Sequence, residues 1–252
     1  MNIFQAKFHK LLTLQNATNT KISGENWREM ASRHVNIDFA MAAIDELHEF
    51  TVSAFVWKWW GKSPELDAKN ALMELVDILH FAISEDLVRS GAGPDDSPVS
   101  NRMAVAYQES LTGYKLYQDL NTEEGSVGQI AFKTQLLKSS VKRMYICFAN
   151  EKEVIDWHAF WFSLLLIGGN FDTINKVYLG KACLNKFRQD HGYKLGTYKK
   201  SWVVASVGLD SETVNKPKED NQVLMEWLEI QTEYTEDSIN TFLEITYHQL
   251  LN

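Results

Sequence analysis

DELHEF (residues 45–50) and MELVDILHF (73–81) decide the reading of this chain. Glu46 and Glu49 are three residues apart, as are Glu74 and Asp77, so on a helix each pair shares one face. Both pairs sit in apolar sequence, with Met41, Ile44, Leu47 and Phe50 around the first. Leu72, Leu75, Val76, Leu79 and Phe81 surround the second. Four acids gathered beside a core repel one another and lose solvation unless cations neutralise them. An oxygen-rich set of this kind suits a hard ion such as Mg²⁺, which leaves coordination positions open for substrate phosphates.

The rest of the chain extends the helical pattern. Residues 3–19 carry Phe4, Phe8, Leu11, Leu12 and Leu14 at helical spacing. Asn36 or Asp38 is positioned to cap a helix running to about Trp60. Ser63-Pro64 reads as the start of the next helix, which Ser90-Gly91 stops. GAGPDDSPVSN (91–101) is the clearest loop. Helices are expected over 102–118, 126–149 and 152–167, then from a cap at Asp172 to His191, and over 219–233 and 236–251. Residues 193–217, with Gly196, Gly208 and Pro217, lack periodicity and read as a long functional loop. The expectation is an all-α helical bundle forming one catalytic domain over 1–252, with a mobile basic lid at about 192–218.

Bulk composition narrows the function classes. The 252 residues carry a net charge of −8, which argues against a general binder of nucleic acid or anionic membrane. No apolar run reaches bilayer length, and polar residues interrupt MNIFQAKFHKLLTLQ throughout, unlike a secretion signal. Cys147 and Cys183, both in apolar helical contexts, read as reduced core thiols of a cytoplasmic protein.

A second constellation lies between Lys176 and Trp202, where seven Lys and Arg residues face a single acid, Asp190, in a chain that is acidic overall. Lys181, Asn185 and Arg188 share a helix face, and Tyr193, Gly196, Tyr198, Lys199 and Lys200 follow beyond Gly192. A triphosphate suits such a surface, with Arg as a forked donor and Lys as a point charge; a solvated helix face is the plain alternative. The third constellation is amide-bearing and aromatic: Gln15 and Asn19 on the first helix, Trp57 and Trp60 after the first carboxylate pair, His80 and Phe81 after the second. Amides read the edge of a base on which aromatics stack, although tryptophans at helical spacing equally build cores. Asp45/His48 and Asp77/His80 have the carboxylate-x-x-His spacing of a di-iron bundle. His48, however, lies well around the helix from Glu46, so oxygen ligation is the favoured reading. No Walker loop, nucleophile elbow or paired C-x-x-C is present.

These residues resemble the dimeric all-α dUTP pyrophosphatases (dUTPases). ELHEF, VWKWWGK and ELVDILHF are similar to the family's first motifs, and GKACLNKFRQDHGYKLGTYKKSW and KPKEDNQVL to its later ones, in the same order over roughly 11–228. The chain departs from the family pattern at Ala182, where Asn is usual, at the inserted Gly61, at Pro217-Lys218, and in the length of 203–216. The resemblance implies hydrolysis of dUTP, and of dUDP, to dUMP with two or three Mg²⁺ ions, in a homodimer. It implies Glu46, Glu49, Glu74 and Asp77 as metal ligands, and Lys181, Arg188, Tyr193 and Lys200 at the phosphates. Asn185, Phe81 and Asp77 would hold the deoxyribose, and Gln15, Asn19, Trp57, Trp60 and His80 the base. Other readings stay open: a dCTP or broader nucleoside triphosphate pyrophosphatase, or a silent nucleotide- or partner-binding regulator.

Overall fold

The computed structural model describes residues 3–33, 37–54, 66–91, 97–120, 127–150, 154–203 and 217–249. Ten helices run through the described residues: α1 (Ile3–Ser23), α2 (Trp27–Ser32), α3 (Phe39–Ser53), α4 (Ala68–Ser90), α5 (Ser97–Leu120), α6 (Val127–Ala149), α7 (Trp157–Leu166), α8 (Phe171–Asp190), α9 (Asp220–Ile230) and α10 (Glu236–Gln249). The expected all-α class is what the structure has. Two-residue strands β1 (Ser201–Trp202) and β2 (Lys218–Glu219) form one antiparallel ladder. The chain divides into two compact units, residues 1–174 and 175–252. No described helix is long and apolar enough to cross a membrane.

In the first unit α3 lies along α4, α5 packs on α1 and α7, and α6 packs on α7 and α3. Asp38 caps α3 by accepting from the Met41 amide at 2.9 Å, and Asp67 caps α4 through the Asn70 amide at 3.0 Å. The fourth helix therefore starts at Ala68, not at Ser63-Pro64, because the Asp67 carboxylate supplies the acceptor that its first turn needs. Likewise α3 stops at Ser53, short of Trp60, and Trp57, Trp60 and Ser63-Pro64 lie outside the described residues. The expected loop 91–101 is shorter, since α5 already begins at Ser97. Asn170, rather than Asp172, receives the Thr173 amide at the start of α8.

Helix α4 is buried almost all round, which makes it the central element. Beside it Phe8, Tyr107, Trp161 and Phe171 form an aromatic cluster, with Phe8 edge-on to Phe171 at 5.0 Å and tilted against Trp161 at 5.1 Å between ring centres. With so much of this helix buried, each buried polar side chain on it needs a partner inside the protein. That requirement builds the site described below.

The second unit gathers Phe187, Tyr198, Trp202 and Tyr247 around the end of α8. Trp202 is fully buried and donates its indole N–H to the Lys199 carbonyl at 2.8 Å. Gly180 of α8 lies so close to α9 that a Cβ there would stand 2.7 Å from Leu228 Cδ1. Cys147 and Cys183 are both free and buried, as expected. Burial, with the nearby Glu236 charge, pushes the Cys183 thiol up to about 12, so it is inert.

Candidate active site

The packing of α3 on α4 brings three of the four expected carboxylates together. One oxygen each of Glu46, Glu74 and Asp77 lies within 4.8 Å of the others. Glu74 is buried at 6% exposure, while Glu46 and Asp77 are half-buried. Glu49, one turn further along α3, is exposed and stands outside this group of three. The donors are all oxygens, and three carboxylates this close fit a hard divalent cation.

One turn beyond Asp77, His80 begins a buried polar network. Its Nδ1 donates to Gln15 Oε1 at 2.6 Å, since an amide oxygen only accepts. Gln15 Nε2 donates to Asn19 Oδ1 and to Ser84 Oγ, each at 2.9 Å. Asn19 Nδ2 also donates to Ser84 Oγ at 2.9 Å, and Ser84 donates back to the His80 carbonyl at 2.7 Å. Gln15, Asn19, His80 and Ser84 are all buried. The structure thus joins three expected base-reading residues and adds Ser84, whose only trace in the sequence is a serine four residues after a histidine in an apolar helix. Neither His48 nor His80 belongs to the group of three carboxylates, so the di-iron spacing gains no support. Phe81 packs against Phe39, which meets Trp27 edge-on.

In the second unit the basic face of α8 forms as its spacing predicts, but it is buried and not solvated. Lys181 is 4% and Arg188 8% exposed. Arg188 grips the fully buried Asp220 with two charge-assisted bonds, Nε to Oδ2 at 2.9 Å and Nη2 to Oδ1 at 2.7 Å. Its Nη1 donates to Asn185 Oδ1 at 3.2 Å, and its Nη2 also reaches Asn221 Oδ1 at 3.3 Å. Lys181 Nζ donates to the same Asn221 oxygen at 3.2 Å. The Tyr198 hydroxyl donates to Asp220 Oδ2 at 2.8 Å, and the guanidinium carbon lies 5.9 Å from the centre of the exposed Tyr193 ring. Burial lowers the Arg188 pKa, yet the hydrogen bond and charge of Asp220 outweigh it and hold Arg188 above its ordinary value. Burial, then the Asp220 charge, pushes the Tyr198 phenol well up, so Tyr198 remains a donor. Lys200 is exposed, and its carbonyl accepts from the Asp220 amide at 2.9 Å. Asp220 and Asn221 were not legible as individual site residues. The one signal was an Asp-Asn pair opening an apolar helix in KPKEDNQVL.

Ten helices among the described residues define an all-α protein, in which three carboxylates that could hold a cation gather on two of the helices. The family model described as dUTPase matches residues 7–193, which covers most of the 252 residues and crosses the boundary between the two units. The chain belongs to this all-α dUTPase family, and as a member it is a dUTP diphosphatase, an enzyme that hydrolyses dUTP. No curated protein matches it.

Proposed function

We propose that the chain converts dUTP, and also dUDP, to dUMP in a Mg²⁺-dependent reaction, with pyrophosphate released from dUTP. The observation that carries this reading is the group of three carboxylates on α3 and α4 in a member of the dUTPase family. Glu46, Glu74 and Asp77, joined by Glu49, would hold two or three Mg²⁺ ions. When bound, these supply positive charge at the phosphate oxygens and acidity to water. Glu49, the exposed member, takes the proton of the attacking water as general base. Water oxygen adds to phosphorus in line, and the P–O bond between the dUMP phosphate and pyrophosphate breaks. Lys181, Arg188, Tyr193 and Lys200 take the phosphates, chiefly by electrostatic stabilisation of the leaving charge. Gln15, Asn19 and His80, with Trp57 and Trp60, read the base, and Asn185, Phe81 and Asp77 hold the deoxyribose.

The deciding experiment is a panel of nucleotides with Mg²⁺ and detection of pyrophosphate. Strong preference for dUTP is the expected result; preference for dCTP would reassign the base pocket, and Mg²⁺ binding without turnover of any nucleotide would point to a regulator. Within that assay Glu49→Gln should lose about three orders of magnitude in kcat while still binding nucleotide. Near-normal turnover would remove Glu49 from the role of base.

The working form is a homodimer, a reading supported by exposed apolar side chains on α5 and α6: Leu116, Leu120, Ile130 and Phe132. The match across both units supports one catalytic domain, and free buried thiols together with a nucleotide substrate support a cytoplasmic setting. Residues 192–218 form the lid of this reading, although 204–216 of them lie outside the described residues. Gly192 and Gly196 take left-handed φ values of 86° and 70°, and Lys194, Lys199 and Lys200 are all exposed. A triphosphate supplies the counter-charge that draws such a segment inward. Amides of residues 193–203 should gain protection from exchange when α,β-imido-dUTP and Mg²⁺ are added; unchanged protection at saturation would sink the lid.

A further inference from the structure

Asp220 entered the sequence reading only as one letter of KPKEDNQVL, yet its side chain is fully engaged in the second unit. Its carboxylate accepts four hydrogen bonds, two at each oxygen. Oδ1 receives Arg188 Nη2 at 2.7 Å and the Asn221 amide at 2.8 Å. Oδ2 receives Arg188 Nε at 2.9 Å and the Tyr198 hydroxyl at 2.8 Å. Both lone pairs of each oxygen are thus used, as a buried carboxylate requires. A buried ion pair adds little net stability, because desolvation of both ions offsets their attraction. What this one supplies is orientation.

The effect falls on the guanidinium. The Nε–Nη2 edge, which would otherwise grip a phosphate through two parallel bonds, is committed to Asp220. Asn221 takes the second Nη2 proton, and Asn185 takes one Nη1 proton. Of the three guanidinium nitrogens, Nη1 is the one not turned to Asp220, and its bond to Asn185 is a long 3.2 Å. The Asp220 amide meanwhile holds the Lys200 carbonyl, and Asn221 holds Lys181. One dipeptide at the start of α9 therefore touches three of the four residues assigned to the phosphates.

We propose that Asp220, assisted by Tyr198, is a positioning residue for the phosphate end of the substrate. It fixes the guanidinium plane so that Arg188 meets a phosphate through Nη1 as a single, aimed donor and not as a fork. This rests on the reading of Arg188 as a phosphate residue, and it assigns that role a different geometry and an organiser.

The test compares affinity for two ligands, α,β-imido-dUTP with Mg²⁺ and deoxyuridine, which lacks phosphates, in wild type, Asp220→Asn and Tyr198→Phe. Asp220→Asn should weaken imido-dUTP by about tenfold to a hundredfold and leave deoxyuridine within about twofold. Tyr198→Phe keeps the ion pair and removes one bond to Oδ2, so it should move the same ratio in the same direction by about threefold to tenfold. A merely structural role would weaken both ligands equally or neither. An unchanged ratio in Tyr198→Phe overturns the proposal even if Asp220→Asn does not fold. Wild-type protein that fails to bind imido-dUTP would instead overturn the assignment of Arg188 to the phosphates.

Discussion

Glu74→Gln should lower dUTP turnover by about a thousandfold and, at the same time, raise the stability of the metal-free protein. Glu74 is the most buried of the three carboxylates on α3 and α4, whose oxygens lie within 4.8 Å of one another. At that separation each pair of charges repels by about 3.5 kcal/mol at an effective dielectric constant of about 20. Without a cation, neutralising the central member relieves part of this repulsion, and a gain of about 1 kcal/mol is expected. With Mg²⁺ the order reverses. Wild type gains stability in proportion to the logarithm of ion concentration over Kd, and the variant gains much less. Thermal unfolding with and without Mg²⁺, beside turnover, reads both effects. Equal Mg²⁺-induced shifts in the two proteins would show that this group does not hold the ion.

The second large effect separates structure from chemistry at Arg188. Arg188→Met leaves the Asp220 carboxylate buried with Tyr198 and the Asn221 amide as its remaining partners among the described residues, and should cost about 3–5 kcal/mol in denaturant unfolding. Replacing both members, Arg188→Met with Asp220→Leu, removes the uncompensated charge and should recover most of that loss, because apolar side chains of similar volume fill the same space. Neither protein should turn over dUTP at a normal rate. A cost below about 1 kcal/mol in the single variant would mean that water reaches Asp220 and that the pair orders nothing.

Much of this was legible in the sequence. Helical periodicity gave the all-α class because the amphipathic faces of α1 and α3 are regular, and it gave α8 because Lys181, Asn185 and Arg188 do share a face. Periodicity could not show that this face turns inward, since that depends on Asp220, 32 residues further on than Arg188. Helix starts were harder to place. Ser63-Pro64 looked the better cap, yet Asp67 caps α4, and the six-residue α2 is too short to leave a periodic signature. Ala182 shows the opposite case. An Asn is usual there in the family pattern, but the position is completely buried, and the small apolar side chain avoids burying an amide that would need its own partners. Ser84 escaped notice because a hydroxyl gains meaning only from the partners that the fold brings to it.

The ladder between β1 and β2 has a consequence for how this chain tolerates change. Ser201 faces Glu219, Trp202 faces Lys218, and the Asp220 amide bonds the Lys200 carbonyl just beyond. The polypeptide that leaves at Val203 and returns at Pro217 therefore begins and ends at neighbouring points. Closing a loop between fixed ends costs only about 0.6 kcal/mol more for each doubling of its length. Because the ladder already fixes both ends, a change in the number of residues that join them costs little and leaves Lys200 and Asp220 where they are. A lineage has room to drift in length between these two anchored ends.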